Sequence, residues 1–146
     1  MMEKFEFLLG TWKMEYRVPE SEFSAAMTGS GTGTFKRALN DQYVFFDYSA
    51  SFSTGDRAEA HGIFAWDDKS KIHRYWWFEN SGKFDAATCR FLDDGLLFMQ
   101  WHGSLMSQTF RKTGRGRVVL RMVHPDSEGE SKIVMEVLFT KQRTRG

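Results

Sequence analysis

Phe7-Leu8-Leu9-Gly10-Thr11-Trp12-Lys13-Met14-Glu15-Tyr16-Arg17-Val18 is a short apolar turn that runs through a glycine into strict alternation. Trp12, Met14, Tyr16 and Val18 point one way, and Thr11, Lys13, Glu15 and Arg17 the other. That is the pattern of a strand with one wet face and one buried face. Before it, Met1 to Leu9 reads as a single helical turn, with Phe5, Leu8 and Leu9 spaced to share a face and plug the end of a barrel.

Outward from this strand the chain keeps the same habit. Apolar or alternating runs are separated by turn signals at short, even intervals, and Pro19 and Pro125 both fall between runs. The expected strands after Thr11–Val18 are Thr28–Leu39, Gln42–Phe52, Ala58–Asp67, Lys71–Glu79, Lys83–Leu92, Gly95–Gly103, Ser104–Thr113, Arg117–His124 and Lys132–Gln142. Pro19 to Met27 is read as a loop or short helix. Gly29, Gly31 and Gly33 share a face with Phe35, which suggests a strand that bends or lies against another surface. The pattern predicts an all-β fold, an antiparallel barrel of about ten strands with a short N-terminal helix, as one domain over residues 1–146.

Composition narrows the function classes. The 20 basic and 19 acidic residues leave no bulk charge to favour nucleic acid or acidic membranes, so neither is expected as a partner. Basic residues do gather at Arg111, Lys112, Arg115 and Arg117 and in a tail of Lys141, Arg143 and Arg145, which read as a solvated turn and a frayed end. Cys89 is the single cysteine, so an intrachain disulfide is ruled out. With no basic region leading into a long apolar run, the reading is a cytoplasmic protein. The aromatic content is high, with 14 Phe, 5 Trp and 4 Tyr, as a bulky core or a ring-lined cavity requires.

Gly10-Thr11-Trp12 resembles the start of the first strand in lipocalins and fatty-acid-binding proteins, the calycin group, whose Trp closes one barrel end. Pro19 to Thr28 is too short for the two-helix lid of fatty-acid-binding proteins, and Leu138 to Arg143 lacks their Arg-x-Tyr carboxylate clamp. The chain is more similar to a bacterial lipocalin-like family known as DUF1579, on Leu9-Gly10-Thr11-Trp12, Ala60-His61-Gly62-Ile63-Phe64-Ala65-Trp66-Asp67 and Tyr75-Trp76-Trp77. That resemblance implies a lipocalin-like barrel and brings no established reaction. Haem-binding nitrobindins share the Phe7-Leu8-Leu9-Gly10-Thr11-Trp12 opening. Their iron ligand is a histidine near the final strand, whereas Lys132 to Gln142 holds none and His124 ends the strand before.

Motifs of catalysis are sparse. His61, His73, His102 and His124 have no partner at metal-ligand spacing, so neither a metal nor a cofactor is expected. Asp67-Asp68 and Asp93-Asp94 are turn chemistry. Asp47 sits mid-strand among aromatics and needs either solvent or an interior partner such as Arg74 or Arg121. Gly29-Ser30-Gly31-Thr32-Gly33 lacks the Gly-Lys-Ser/Thr ending of a phosphate loop. Trp76 and Trp77 must face opposite sides, so one is an outer-wall Trp that needs cover from the helix, a loop or another subunit, and the last of these gives the hypothesis of a homodimer.

The function read from the sequence is binding of a small apolar or aromatic molecule inside the barrel. The expected lining is Tyr16, Phe35, Tyr48, Phe64, Trp66, Trp76, Phe78 and Trp101, with Arg74, His102 or Arg121 to hold a ligand carboxylate or hydroxyl. The alternatives are a nitrobindin-like haem protein, or a small enzyme pairing His61 or His102 with a tyrosine.

Overall fold

The computed structural model describes residues 1–143; Arg145 of the basic tail lies outside them. Ten antiparallel strands close into a barrel: β1 (Gly10–Val18), β2 (Met27–Ala38), β3 (Tyr43–Phe52), β4 (Arg57–Asp67), β5 (Ile72–Glu79), β6 (Phe84–Asp93), β7 (Leu96–Trp101), β8 (Ser107–Gly114), β9 (Arg117–Pro125) and β10 (Ser131–Lys141). Each strand pairs with its neighbours in sequence, and β1 closes the ring against β10, with Trp12 opposite Lys141 and Arg17 opposite Glu136. Closure leaves no free sheet edge. The segment between β1 and β2 is a loop carrying one isolated bridge, Ser21 to Ser24.

The two ends of the barrel differ. At one end a 3-10 helix, Glu3–Leu8, drives Phe5 and Leu8 into the core. Phe5 packs on Phe64 and edge-on to Phe91, with ring centroids 4.8 and 4.9 Å apart. Trp12 follows at once and donates from its indole Nε1 to the Leu8 carbonyl at 2.7 Å, which satisfies a helix-end acceptor. Phe35 stacks on Phe46 at 3.8 Å and lies edge-on to Phe110, completing a solid aromatic floor. The other end carries the longer β1–β2, β7–β8 and β9–β10 connections and is less completely filled.

A run of small residues thins one wall. Met14, Gly31, Ala50 and Ala58 are in register across β1 to β4, all facing inward. A side chain at Gly33 would meet Met14 Sδ and Phe46 at 2.8 Å, so that glycine is fixed by close packing. Three register shifts, at Phe91/Asp93, Lys112/Gly114 and Ile133/Met135, interrupt the pairing in β6, β8 and β10.

Candidate functional site

Strand alternation, once the register is fixed, decides which strand residues face the interior. On β1 the inward set is Trp12, Met14, Tyr16 and Val18, as the alternation predicts. On β5 the inward residues are Tyr75 and Trp77, because a hairpin with β4 sets Tyr75 opposite Phe64 and Trp77 opposite Gly62. Gly62 has no side chain for a reason: a Cβ there would collide with the Tyr75 ring and hydroxyl.

Above the aromatic floor lies a cavity of about 310 Å³. Its walls are mainly apolar and aromatic, including Tyr16, Phe52, Trp77, Trp101, Met106 and Leu120. The polar groups within are few and mostly engaged. Trp77 Nε1 donates to Tyr48 Oη at 2.9 Å. Trp101 Nε1 donates to Gln108 Oε1 at 2.9 Å, and the Gln108 amide reaches Met99 Sδ at 3.6 Å. Tyr16 differs: the residue is only 6% exposed, and its Oη is the one buried side-chain polar atom among the described residues with no hydrogen-bond partner.

Burial holds these phenols neutral. It pushes Tyr48 up to about 12, and Tyr16 and Tyr75 well above the ordinary tyrosine range. Burial also raises the Cys89 thiol, so it stays protonated and unreactive. The interior can therefore accept, donate and stack, and it supplies no thiolate or phenolate nucleophile at neutral pH. Among the described residues no three His, Cys, Asp or Glu side chains gather as a metal would require.

Of the residues expected to line the interior, Tyr16, Tyr48 and Trp101 meet around this cavity. Phe35 and Phe64 are fully buried in the floor beneath it. Trp66 is at the closed end, edge-on to His73 at 4.7 Å. The expectation for β5 is corrected: Trp76 and Phe78 are 39% and 47% exposed on the outer wall, because the inward places belong to Tyr75 and Trp77. The three expected polar anchors are corrected as well. Arg74 faces outward and donates to Asp67 at 2.8 Å, an interaction that lowers the Asp67 carboxyl to about 2. Arg121 is held on the outer wall by Glu136, its cross-strand partner, at 2.8 Å. His102 is exposed and sits 2.8 Å from Thr88 Oγ1. Asp47 likewise faces out and pairs with His61 directly across β3 and β4. Neither His61 nor His102 lines the cavity that holds the buried tyrosines.

Gln108, Tyr75, Trp77, Glu79 and Asp85 line the cavity and were not expected there. Gln108 was legible in principle: it lies two residues before the apolar Phe110, so an inward Phe110 places Gln108 inward too. On β10, Ser131–Lys141, there is no histidine, and His124 at the end of β9 instead lies against Phe23 at 4.4 Å. No helix among the described residues is long and apolar enough to cross a membrane.

No protein-family model matches the chain, and no curated protein matches it. Solved structures do. Rv2717c from M. tuberculosis is 9% identical, with 97% of each chain covered and a TM-score of 0.69. The S-type phycobiliprotein lyase CPES from Guillardia theta is 8% identical, with 98% of this chain and 93% of that one covered and a TM-score of 0.58. A redesigned β barrel, mFAP0, bound to DFHBI, is 11% identical, with 92% of this chain and 99% of that one covered and a TM-score of 0.51. At these identities the likeness is one of fold, and it agrees with the closed antiparallel barrel described above.

Proposed function

We propose that this barrel binds a small apolar or aromatic molecule in its cavity, oriented by a hydrogen bond to Tyr16 Oη. The observation that carries the reading is a buried hydroxyl without a partner in a mainly apolar cavity. An unsatisfied buried hydroxyl costs roughly 1–3 kcal/mol, and a ligand with one polar atom relieves that cost only when bound. Apolar walls with few convergent polar groups are the usual make-up of a small-molecule site. A barrel of this fold bound to DFHBI supports the reading by analogy of architecture. The likeness of the Gly10-Thr11-Trp12 entry to DUF1579 proteins belongs to the same proposal. A member of that family solved with a different strand order would count against it.

Tyr16→Phe tests the hydroxyl. Phe keeps the ring packing and removes the orphan group, so stability in urea should hold or rise by up to about 1 kcal/mol. Affinity for 2-naphthylmethanol should fall roughly five- to tenfold, with 2-ethylnaphthalene little changed, matching the loss of one neutral hydrogen bond. Equal affinity for the alcohol in both proteins would remove Tyr16 from the site.

The proposal extends to a homodimer through the outer wall of β3 to β6. Phe45, Ile63 and Trp76 are cross-strand neighbours there, as are Phe78 and Phe84. Phe84 is 75% exposed, and a second copy of this face would cover these rings. Sedimentation velocity at micromolar concentration should give a dimer that Trp76→Ser with Phe78→Ser converts to monomer. A monomeric parent protein would end this part of the reading.

A further inference from the structure

The cavity also carries a statement about the charge of its ligand. Among the described residues no Lys, Arg or His lines it. Among the described residues, the only ionisable groups in its walls besides buried tyrosines are two carboxyls, Glu79 and Asp85. They come from the adjoining ends of β5 and β6, where Trp77 and Asp85 are cross-strand partners and the Glu79 amide pairs with the Lys83 carbonyl. Both are half-buried. Ser81 Oγ donates to Glu79 Oε1 at 2.6 Å, while the Ala86 and Gly103 amides donate to Asp85 Oδ1 at 2.7 and 3.1 Å. Each carboxyl thus has a second oxygen, Glu79 Oε2 and Asp85 Oδ2, that takes part in no hydrogen bond among the described residues.

Several cations at this end are drawn outward. Glu136 holds Arg121 and lies 4.0 Å from Arg17 on the outer wall, and Asp126 and Glu130 lie at 4.0 and 3.4 Å from Lys132. Arg57 and Lys83 stand near the rim, are exposed, and do not line the cavity. Beside the carboxyls stand Trp77 and Trp101, edge to face at 5.9 Å, whose ring faces attract a cation. At the far side of the same cavity is the unpartnered Tyr16 hydroxyl.

Given the binding reading above, on which this rests, we infer that the ligand is an aromatic amine. Its ring lies among Trp77, Trp101 and Phe52, its protonated nitrogen faces Glu79 and Asp85, and a polar atom at its other end meets Tyr16. An anionic ligand would enter a low-dielectric space with no cation to meet it and two carboxylates at the door, which is costly. Fatty acids and other carboxylates are therefore excluded as the natural class, in contrast to the carboxylate-holding arginines expected from the sequence.

A displacement series with N-phenyl-1-naphthylamine as the uncharged fluorescent reporter tests this at pH 7 and low salt. The competitors are 2-naphthylmethylammonium, 2-naphthylmethanol and 2-naphthoate, which share one ring system and differ in charge. The expected order is ammonium over alcohol over carboxylate, with the ammonium roughly tenfold tighter than the carboxylate or more. In Glu79→Gln with Asp85→Asn the ratio of ammonium to alcohol affinity should fall about five- to tenfold, and added salt should lower it in the parent protein. If the reporter binds and the carboxylate competes best, the charge inference fails and the cavity reading stands. If the ratio is unmoved in the double variant, the carboxyls are not the amine's partners and the inference fails. If the reporter and all three competitors fail to bind, the cavity reading falls and the amine with it.

Discussion

Trp12→Ala should cost the barrel about 3–5 kcal/mol, the range seen when a fully buried Trp is truncated. Two losses combine at this position. The indole is 1% exposed and lies edge-on to Phe139 at 6.1 Å, so its removal opens a cavity in the floor. Its Nε1 also holds the Leu8 carbonyl at the end of the 3-10 helix, and without it that acceptor is buried alone. A short 3-10 helix has little stability of its own, so its docking depends on Phe5, Leu8 and this bond. For a chain of this size the loss lowers the melting temperature by roughly 10 °C. Urea unfolding checks it as a shift in midpoint at constant slope. Trp12→Phe weights the two terms differently, because it keeps most of the apolar area while losing the hydrogen bond; about 1–2 kcal/mol is expected. A cost below about 1 kcal/mol for Trp12→Ala would mean that the floor closes without the indole.

The same residue shows why the fold was legible. Trp12 to Val18 alternates with charged or polar residues at every second place, so the strand and its inward face follow from period two, while the place of Trp12 at the barrel end is what its resemblance to the calycin Gly-x-Trp implies. Turn residues at even spacing then give the remaining strands, within two or three residues of their observed ends. The site was less legible because β5 offers no contrast. Tyr75-Trp76-Trp77-Phe78 is aromatic on both faces, and the charges at its two ends disagree. Arg74 shares parity with Trp76 and argues that this set faces water, whereas Glu79 shares parity with Trp77 and argues the opposite. The structure resolves the conflict through Gly62, whose missing side chain leaves room for Tyr75, and through Asp67, which keeps Arg74 outside. Glu79 then becomes an inward carboxyl at the cavity mouth, a placement that no hydrophobic pattern could announce. Arg121 teaches the converse: its place between Leu120 and Met122 already sets it outward, opposite Glu136.

Ala58→Trp should abolish binding of N-phenyl-1-naphthylamine, lowering affinity at least about a hundredfold, or roughly 2.7 kcal/mol. Gly31, Ala50 and Ala58 lie side by side facing inward, and their small size leaves space that larger residues fill elsewhere in the barrel. Ala58 is the member of the row that lines the cavity, and it is only half-buried, so an indole there enters the cavity without displacing the floor. Stability should therefore fall by less than the roughly 1–3 kcal/mol that overpacking a filled core costs, because the indole fills existing space. Ala50→Trp provides the contrast. Ala50 is buried between Gly31 and Ala58, so the same indole has nowhere to lean, and overpacking should cost about 1–3 kcal/mol or more. Urea midpoints and reporter titrations on both variants separate a blocked cavity from a damaged barrel. A folded Ala58→Trp protein that binds the reporter as tightly as the parent would place the ligand outside the barrel altogether.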